Sequence, residues 1–303
     1  MRKRIKRIVA FTLLGLPILI LIIAKSYAMV ARTVQLNAAR ATIPTVSTTP
    51  KPNQTTTSTE KEEPITSLKP IIDVSGWQLP EEIDYDTLSA NISGVIVRVF
   101  GGSGIGIDNN ATNAKGVDKS YKKHITEFQK RDIPVAVYAY VMGKNVKEMK
   151  EEARILYEKS APYKPTYYWL DVEEKTMDNM DKGVEAFRSE LERLGAKNIG
   201  IYIGTYFMDE HSISIDKFDA VWFPTYGTDS GLYEEDPHTS LEHDLHQYTS
   251  QGFVDGFQKP LDLNRIATDK DIGSTYQKLF GRKPSKDMQE KKNKLVDSLF
   301  FFR

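Results

Sequence analysis

The chain of 303 residues has no cysteine, only five histidines and no excess charge of either sign, with 41 basic residues against 41 acidic ones. Without Cys there is no disulfide, no thiolate zinc site and no Cys nucleophile. A net charge of zero removes the electrostatic case for a nucleic-acid partner, since no domain is strongly basic. HExxH, the phosphate-binding loop, the dinucleotide fingerprint and a Gly-x-Ser-x-Gly elbow are all missing. His243 and His246 beside Asp244 imitate a metal site, but three-residue spacing outside a clear helix is weak evidence for one. The run GGSGIG at 101–106 is rich in glycine yet lacks the phosphate-loop Lys, and reads as a loop.

What is present begins at the N-terminus. MRKRIKR carries five basic residues and leads into an uninterrupted apolar stretch over 8–24. That is about the length needed to cross a bilayer. The flanking charge puts the N-terminus inside and the bulk of the chain outside. Residues 1–30 are therefore expected to form a cytoplasmic basic segment and a transmembrane signal anchor. A cleaved signal, with Ser26-Tyr27-Ala28 as its site, is the alternative. Residues 31–69 are rich in Thr, Pro and Lys and have almost no large apolar side chains, so they read as a flexible linker. The sequon Asn53-Gln54-Thr55 is a product of that composition rather than a glycan site. The expected location is the cell membrane, crossed once, with the following domain outside the cytoplasm and the membrane as partner of the N-terminal stretch.

Residues 70–283 are enough for one good core. Strand-forming runs recur at 71–76, 94–100, 134–141, 166–173, 198–204, 220–227, 244–250 and 261–265. Helical stretches are expected over 119–131, 144–160 and 178–194. In the last, Val184, Phe187, Leu191 and Leu194 recur at helical spacing and Gly195 supplies a stop. This order predicts the α/β class: an irregular, parallel (β/α) barrel, TIM-like, with reduced helices after residue 220. A doubly wound open sheet is the alternative. The basic, Phe-ended tail 284–303 is expected to pack on the barrel as a terminal helix, with membrane or partner contact as the other reading.

In such a barrel the strand ends at one face line the active site. TYYWLDVEE ends an apolar strand in carboxylates, and Asp171 and Glu173 point the same way with Cα atoms about 6.6 Å apart. Asp73 lies in the first strand and Asp262 in the last, and closure makes those strands neighbours. Four acids then converge on one mouth. Crowded carboxyls cannot all ionise cheaply, so one keeps its proton to higher pH. A protonated carboxyl beside an ionised one is the equipment for cleaving a glycosidic bond. Nine aromatics, Trp77, Phe100, Tyr138, Tyr140, Trp169, Tyr202, Trp222, Tyr226 and Tyr248, lie in or beside the strands, and a minority are expected to face the cleft. Taken alone, Asp-x-Glu is more often structural or metal-binding than catalytic.

Together, DVSGWQ, YYWLDVE and HQYTSQGFVDGF…PLDLNRI resemble glycoside hydrolase family 25, the lysozyme-type N-acetylmuramidases, over most of 71–266. The resemblance implies hydrolysis of the β-1,4 bond between N-acetylmuramic acid and N-acetylglucosamine, with peptidoglycan glycan strands as partner. It implies Glu173 as general acid and Asp171 as the group that orients the substrate's 2-acetamido for attack on the anomeric carbon. Asp73 and Asp262 complete the cluster; direct attack by an aspartate stays open. No metal or cofactor is implied. Trp77, Tyr138, Tyr140, Tyr226, Gln247 and Tyr248 are the expected substrate contacts. His246-Gln247-Tyr248 stands where the family often has Trp-Gln-Tyr, and Tyr138-Ala139-Tyr140 where it often has Tyr-His-Phe. These changed walls leave room for a modified peptidoglycan. Two rival readings remain: a non-catalytic glycan-binding or scaffolding barrel, and a metal-dependent deacetylase, which the scarcity of His disfavours.

Overall fold

The computed structural model describes residues 65–101, 106 and 108–290. The apolar stretch 8–24, the linker up to residue 64, residues 102–105 of the Gly-rich run and the Phe-ended tail from 291 lie outside the described residues. Among the described residues no helix is long and apolar enough to cross a membrane.

Eight strands close into a barrel in chain order. They are β1 (Ile71–Val74), β2 (Gly94–Gly101), β3 (Val135–Tyr140), β4 (Tyr168–Val172), β5 (Ile199–Ile203), β6 (Ala220–Pro224), β7 (Leu245–Gly252) and β8 (Leu261–Ile266). Each falls on an expected run. The barrel is not all parallel, however. Neighbours from β1 to β7 pair in parallel, whereas β8 is antiparallel to both β7 and β1. Connection length explains the reversal. Only residues 253–260 join β7 to β8, and a parallel crossover needs about a dozen residues or more. A hairpin is what fits.

Among the described residues six α-helices accompany the strands: α1 (Tyr85–Ser89), α2 (Tyr121–Lys130), α3 (Val146–Ser160), α4 (Met180–Leu194), α5 (Thr205–Glu210) and α6 (Ile272–Phe280). Long crossover helices, α2 to α4, serve the connections from β2 to β5, while no helix lies between β6 and β7 or between β7 and β8. Local chemistry sets the ends. Asn145 accepts from the Lys147 and Glu148 amides to start α3, and Asn179 accepts from the Lys182 amide to start α4. Gly195 ends α4 at φ 105°, in the left-handed region that favours glycine.

Strands β1 to β5 are buried almost throughout, as expected where helices cover one face and the barrel interior the other. Trp169 fills the barrel's middle. It stacks on Tyr167 at 5.2 Å between ring centroids and meets Trp222 edge-on at 5.6 Å. Its indole needs the missing side chain of Gly200, where a Cβ would lie 2.3 Å from the ring. The aromatic half of TYYWLDVEE is thus the packed floor on which its acids stand.

The chain is tied where it enters and leaves. Leu68 bridges to Gln289, the Lys69 amide donates to the Met288 carbonyl at 2.9 Å, and the Ser67 hydroxyl donates to Glu290 at 2.7 Å.

Candidate active site

A cleft of about 250 Å³ opens at the C-terminal ends of the parallel strands. Asp73, Asp171, Glu173 and Asp262 all line it. Asp73 sits on β1, Asp171 on β4, and Glu173 one residue beyond β4 on the same side as Asp171. Asp262 is the second residue of β8, a place that belongs to the closed end of a parallel strand. The reversed direction of β8 carries it to the mouth, directly opposite Asp73 in register.

The cluster has a graded electrostatic structure. Asp73 is buried, and burial pushes its carboxyl up to about 7, against the opposing effect of two amide donors. Those donors are Asn264 Nδ2 at 2.9 Å and Gln247 Nε2 at 2.8 Å, both on Asp73 Oδ2. Asp262 is pushed up to about 8, chiefly by burial and then by the charges of Asp73 and Glu173. Asp171 is buried, and burial followed by the neighbouring Glu173 charge holds it well above the usual carboxylate range. Glu173 reaches solvent at the mouth, yet the cleft walls still raise it, while a hydrogen bond with Asp171 pulls the other way. Both members of the pair therefore keep a proton to higher pH than an ordinary carboxyl does. Asp171 Oδ1 is buried without a hydrogen-bond partner among the described residues and can receive one from a ligand.

Gln247 joins this cluster to an aromatic wall. Its Oε1 accepts from the Tyr202 hydroxyl at 2.8 Å and from the Tyr226 hydroxyl in a short bond. With the amide orientation fixed in this way, Nε2 must face Asp73. Tyr140 donates to Glu174 at 2.9 Å on the opposite rim. Trp77 is 52% exposed at the edge of the cleft, free to stack on a sugar.

Nine of the ten expected site residues meet in the cleft; Tyr248 does not. Side chains alternate along β7, so the inward turn of Gln247 sends Tyr248 to the outer wall, where it packs near Tyr233 and His246. Six of the nine strand aromatics face the cleft rather than a minority: Trp77, Tyr138, Tyr140, Tyr202, Trp222 and Tyr226. The His243–His246 run serves structure. Asp244 takes Lys278 at 2.6 Å and the Val221 amide at 3.1 Å, and buried His246 bonds the Thr225 carbonyl at 2.8 Å.

Several lining residues escaped the sequence reading: Ser75, Gln78 and Arg98, with Asn264 behind Asp73. Arg98 had a signal, as the lone charge in the apolar run GVIVRVF. Asn264 had one too, two residues after Asp262 on the same face. Apart from Arg98, the cleft presents four carboxyls with neutral amides, phenols and the Ser75 hydroxyl. It suits proton transfer and sugar hydroxyls.

The family model for glycosyl hydrolases family 25 matches residues 72–257. Among solved structures, the chain is similar to GHIP, a glycosyl hydrolase 25 of Streptococcus pneumoniae participating in host cell invasion. The two are 59% identical, with 71% of this chain and 93% of that one covered, at a TM-score of 0.69. The catalytic domain of endolysin ply40 from bacteriophage P40 of Listeria monocytogenes is 24% identical, over 69% of this chain and 97% of that one, at 0.58. The bacterial lysozyme from Streptomyces coelicolor is 15% identical, over 71% and 99%, at 0.53. At such identities the last two bear on the fold alone. No curated protein sequence matches. With the family matched over most of the barrel and the acids gathered in its mouth, the chain belongs to glycosyl hydrolase family 25 and is a glycoside hydrolase.

Proposed function

We propose that this glycoside hydrolase is a muramidase, cutting peptidoglycan between N-acetylmuramic acid and N-acetylglucosamine. One observation carries the reading: Asp73, Asp171, Glu173 and Asp262 line a single cleft, and burial holds all four carboxyls above their ordinary range. Pure binding gives no reason to crowd like charges in this way.

The chemistry follows from that pair. The substrate's acetamido N–H docks on Asp171 and displaces the proton that Asp171 offers to Glu173. Glu173, at the mouth, then protonates the glycosidic oxygen as the bond breaks. Asp171, now a carboxylate, holds the acetamido so that its carbonyl oxygen closes on the anomeric carbon. Glu173, deprotonated, takes a proton from the water that opens the resulting ring. Asp73 and Asp262, held near neutrality by burial, ionise more readily as positive charge develops beside them, and Gln247 with Asn264 fixes Asp73 for that role. We further propose that the apolar stretch 8–24 anchors the enzyme in the cytoplasmic membrane and that the linker ahead of Ser67, where the chain is tied to the barrel, lets the barrel reach the glycan outside.

Digestion of insoluble peptidoglycan by the full chain tests the bond. Products are reduced and their ends identified by mass spectrometry. Reducing-end muramic acid is expected. Reducing-end glucosamine would contradict the bond assignment, and binding without soluble products would return the glycan-binding alternative.

A further inference from the structure

Arg98 is a buried cation in the cleft that the reaction above does not use. It lies on β2, opposite Tyr138 on β3, and is 7% exposed. Its Nε donates to Asp118 Oδ2 at 3.1 Å. Asp118 is itself clamped: Gly76 N–H donates to Oδ2 at 2.6 Å and Ser120 N–H to Oδ1 at 2.8 Å. The guanidinium is thereby held from behind by a carboxylate whose own position is set by backbone. Its Nη2 is buried, has no hydrogen-bond partner among the described residues, and belongs to a side chain lining the cleft. A buried N–H without a partner costs about 1–3 kcal/mol, so a fold that retains one in a cleft is keeping a donor for use.

From this geometry we infer that Arg98 is a positioning residue for Asp171: fixed by Asp118, it supplies the positive charge against which Asp171 works once its proton has passed to Glu173. This rests on the muramidase reading for its place in the reaction, but not for its electrostatics. Removing one proton from the Asp171–Glu173 pair and giving it to the leaving oxygen leaves the pair one charge more negative. A fixed cation lining the same cleft as Asp171 is what makes that state accessible. Asp118 offsets this charge only in part at the cleft, because the carboxylate is fully buried and does not line the cleft, while the guanidinium side chain does.

The groups that share the cleft with Asp171 are Asp73 on β1, Tyr138 and Tyr140 on β3, Glu173 and Glu174 after β4, Tyr202 on β5, Tyr226 after β6 and Asp262 on β8. All are acids or phenols; Arg98 is the one cation lining this cleft among the described residues. Its field lowers the proton affinity of both Asp171 and Tyr138. Loss of the charge therefore raises both macroscopic titrations of the Asp171–Glu173 pair.

The test compares the full wild-type chain with R98Q, which keeps amide donors without charge, and R98K, which restores charge. Asp171 is titrated directly by carbon-13 NMR of aspartate-labelled protein, and the pH profile of kcat/KM on peptidoglycan is recorded beside it. Expected in R98Q are a titration and both limbs of the profile displaced upward by about half a pH unit or more, with R98K returning toward wild type. An Asp171 titration unchanged in R98Q overturns the inference, as does lost activity with limbs that stay in place, the result of a merely structural role. If Asp171 shifts as expected while the wild type digests no peptidoglycan, Arg98 keeps its assignment and the muramidase reading falls.

Discussion

Replacing Asp73 by Asn tests whether the cluster is held together at an electrostatic cost. The Asp73 carboxyl accepts from Gln247 and Asn264 on one oxygen, Oδ2. Asn offers an amide oxygen in the same place, so both bonds survive and only the charge is lost. In the folded protein Asp73 is raised from its ordinary 3.8 to about 7. A group raised in this way contributes stability that is full below its unfolded pKa and is lost as pH rises through its folded pKa. The window for Asp73 is pH 4 to 7. At about 1.4 kcal/mol per pH unit, forcing Asp73 alone to ionise costs about 4 kcal/mol. Asp262 and Glu173 titrate with it and take part of that, leaving about 2–4 kcal/mol for D73N to recover at pH 8. For a domain of this size the gain is a rise in Tm of about 5–10 °C. Thermal unfolding followed by circular dichroism at pH 4, 6 and 8 reads it. The variant and the wild type should coincide near pH 4 and diverge as pH rises, while D73N loses hydrolysis. A stability difference that is constant with pH, or a variant weaker than wild type at pH 8, would refute the reasoning.

Other positions give independent checks. Q247L leaves the Tyr202 and Tyr226 hydroxyls without their acceptor and Asp73 with one donor; urea titration should show a loss of about 1–3 kcal/mol, together with reduced turnover. G200A drives a methyl into the Trp169 ring, and overpacking of this kind should lower stability by about 1–3 kcal/mol; an unchanged midpoint would mean that Trp169 moves freely. Glu152, buried and accepting from the Met142 amide, is raised to about 7 by burial. E152Q should therefore gain stability over wild type only as pH climbs from about 4.5 through 7, which parallel melts at pH 5 and 8 would reveal.

Much of the fold was legible because its strands are written in apolar, β-branched and aromatic runs, and its long helices carry their own caps, Asn145, Asn179 and Gly195. The direction of β8 was not legible from composition, since LDLNRI reads alike in either sense; only the short span 253–260 encodes the hairpin. Asp262 was nonetheless assigned to the mouth, and it is the reversal that makes the assignment sound. Tyr248 was misplaced because its neighbour Gln247 takes the inward position, and two adjacent residues of a strand cannot share a face. Arg98 and Asn264 went unread for a different reason. Each is one polar residue inside a strand, and its purpose appears only when Asp118 or Asp73 is brought to it from a distant part of the chain.

The central claim is that Glu173 gives the proton to the departing sugar, and leaving-group dependence measures it most directly. Wild type and E173Q would be compared on a glycan whose leaving group is a sugar hydroxyl and on a nitrophenyl glycoside of the same sugar, whose phenolate departs without protonation. E173Q should lose about 10²–10⁴-fold on the first substrate and keep most of its rate on the second. Equal losses on both substrates, or turnover of the sugar substrate close to wild type, would contradict the role given to Glu173.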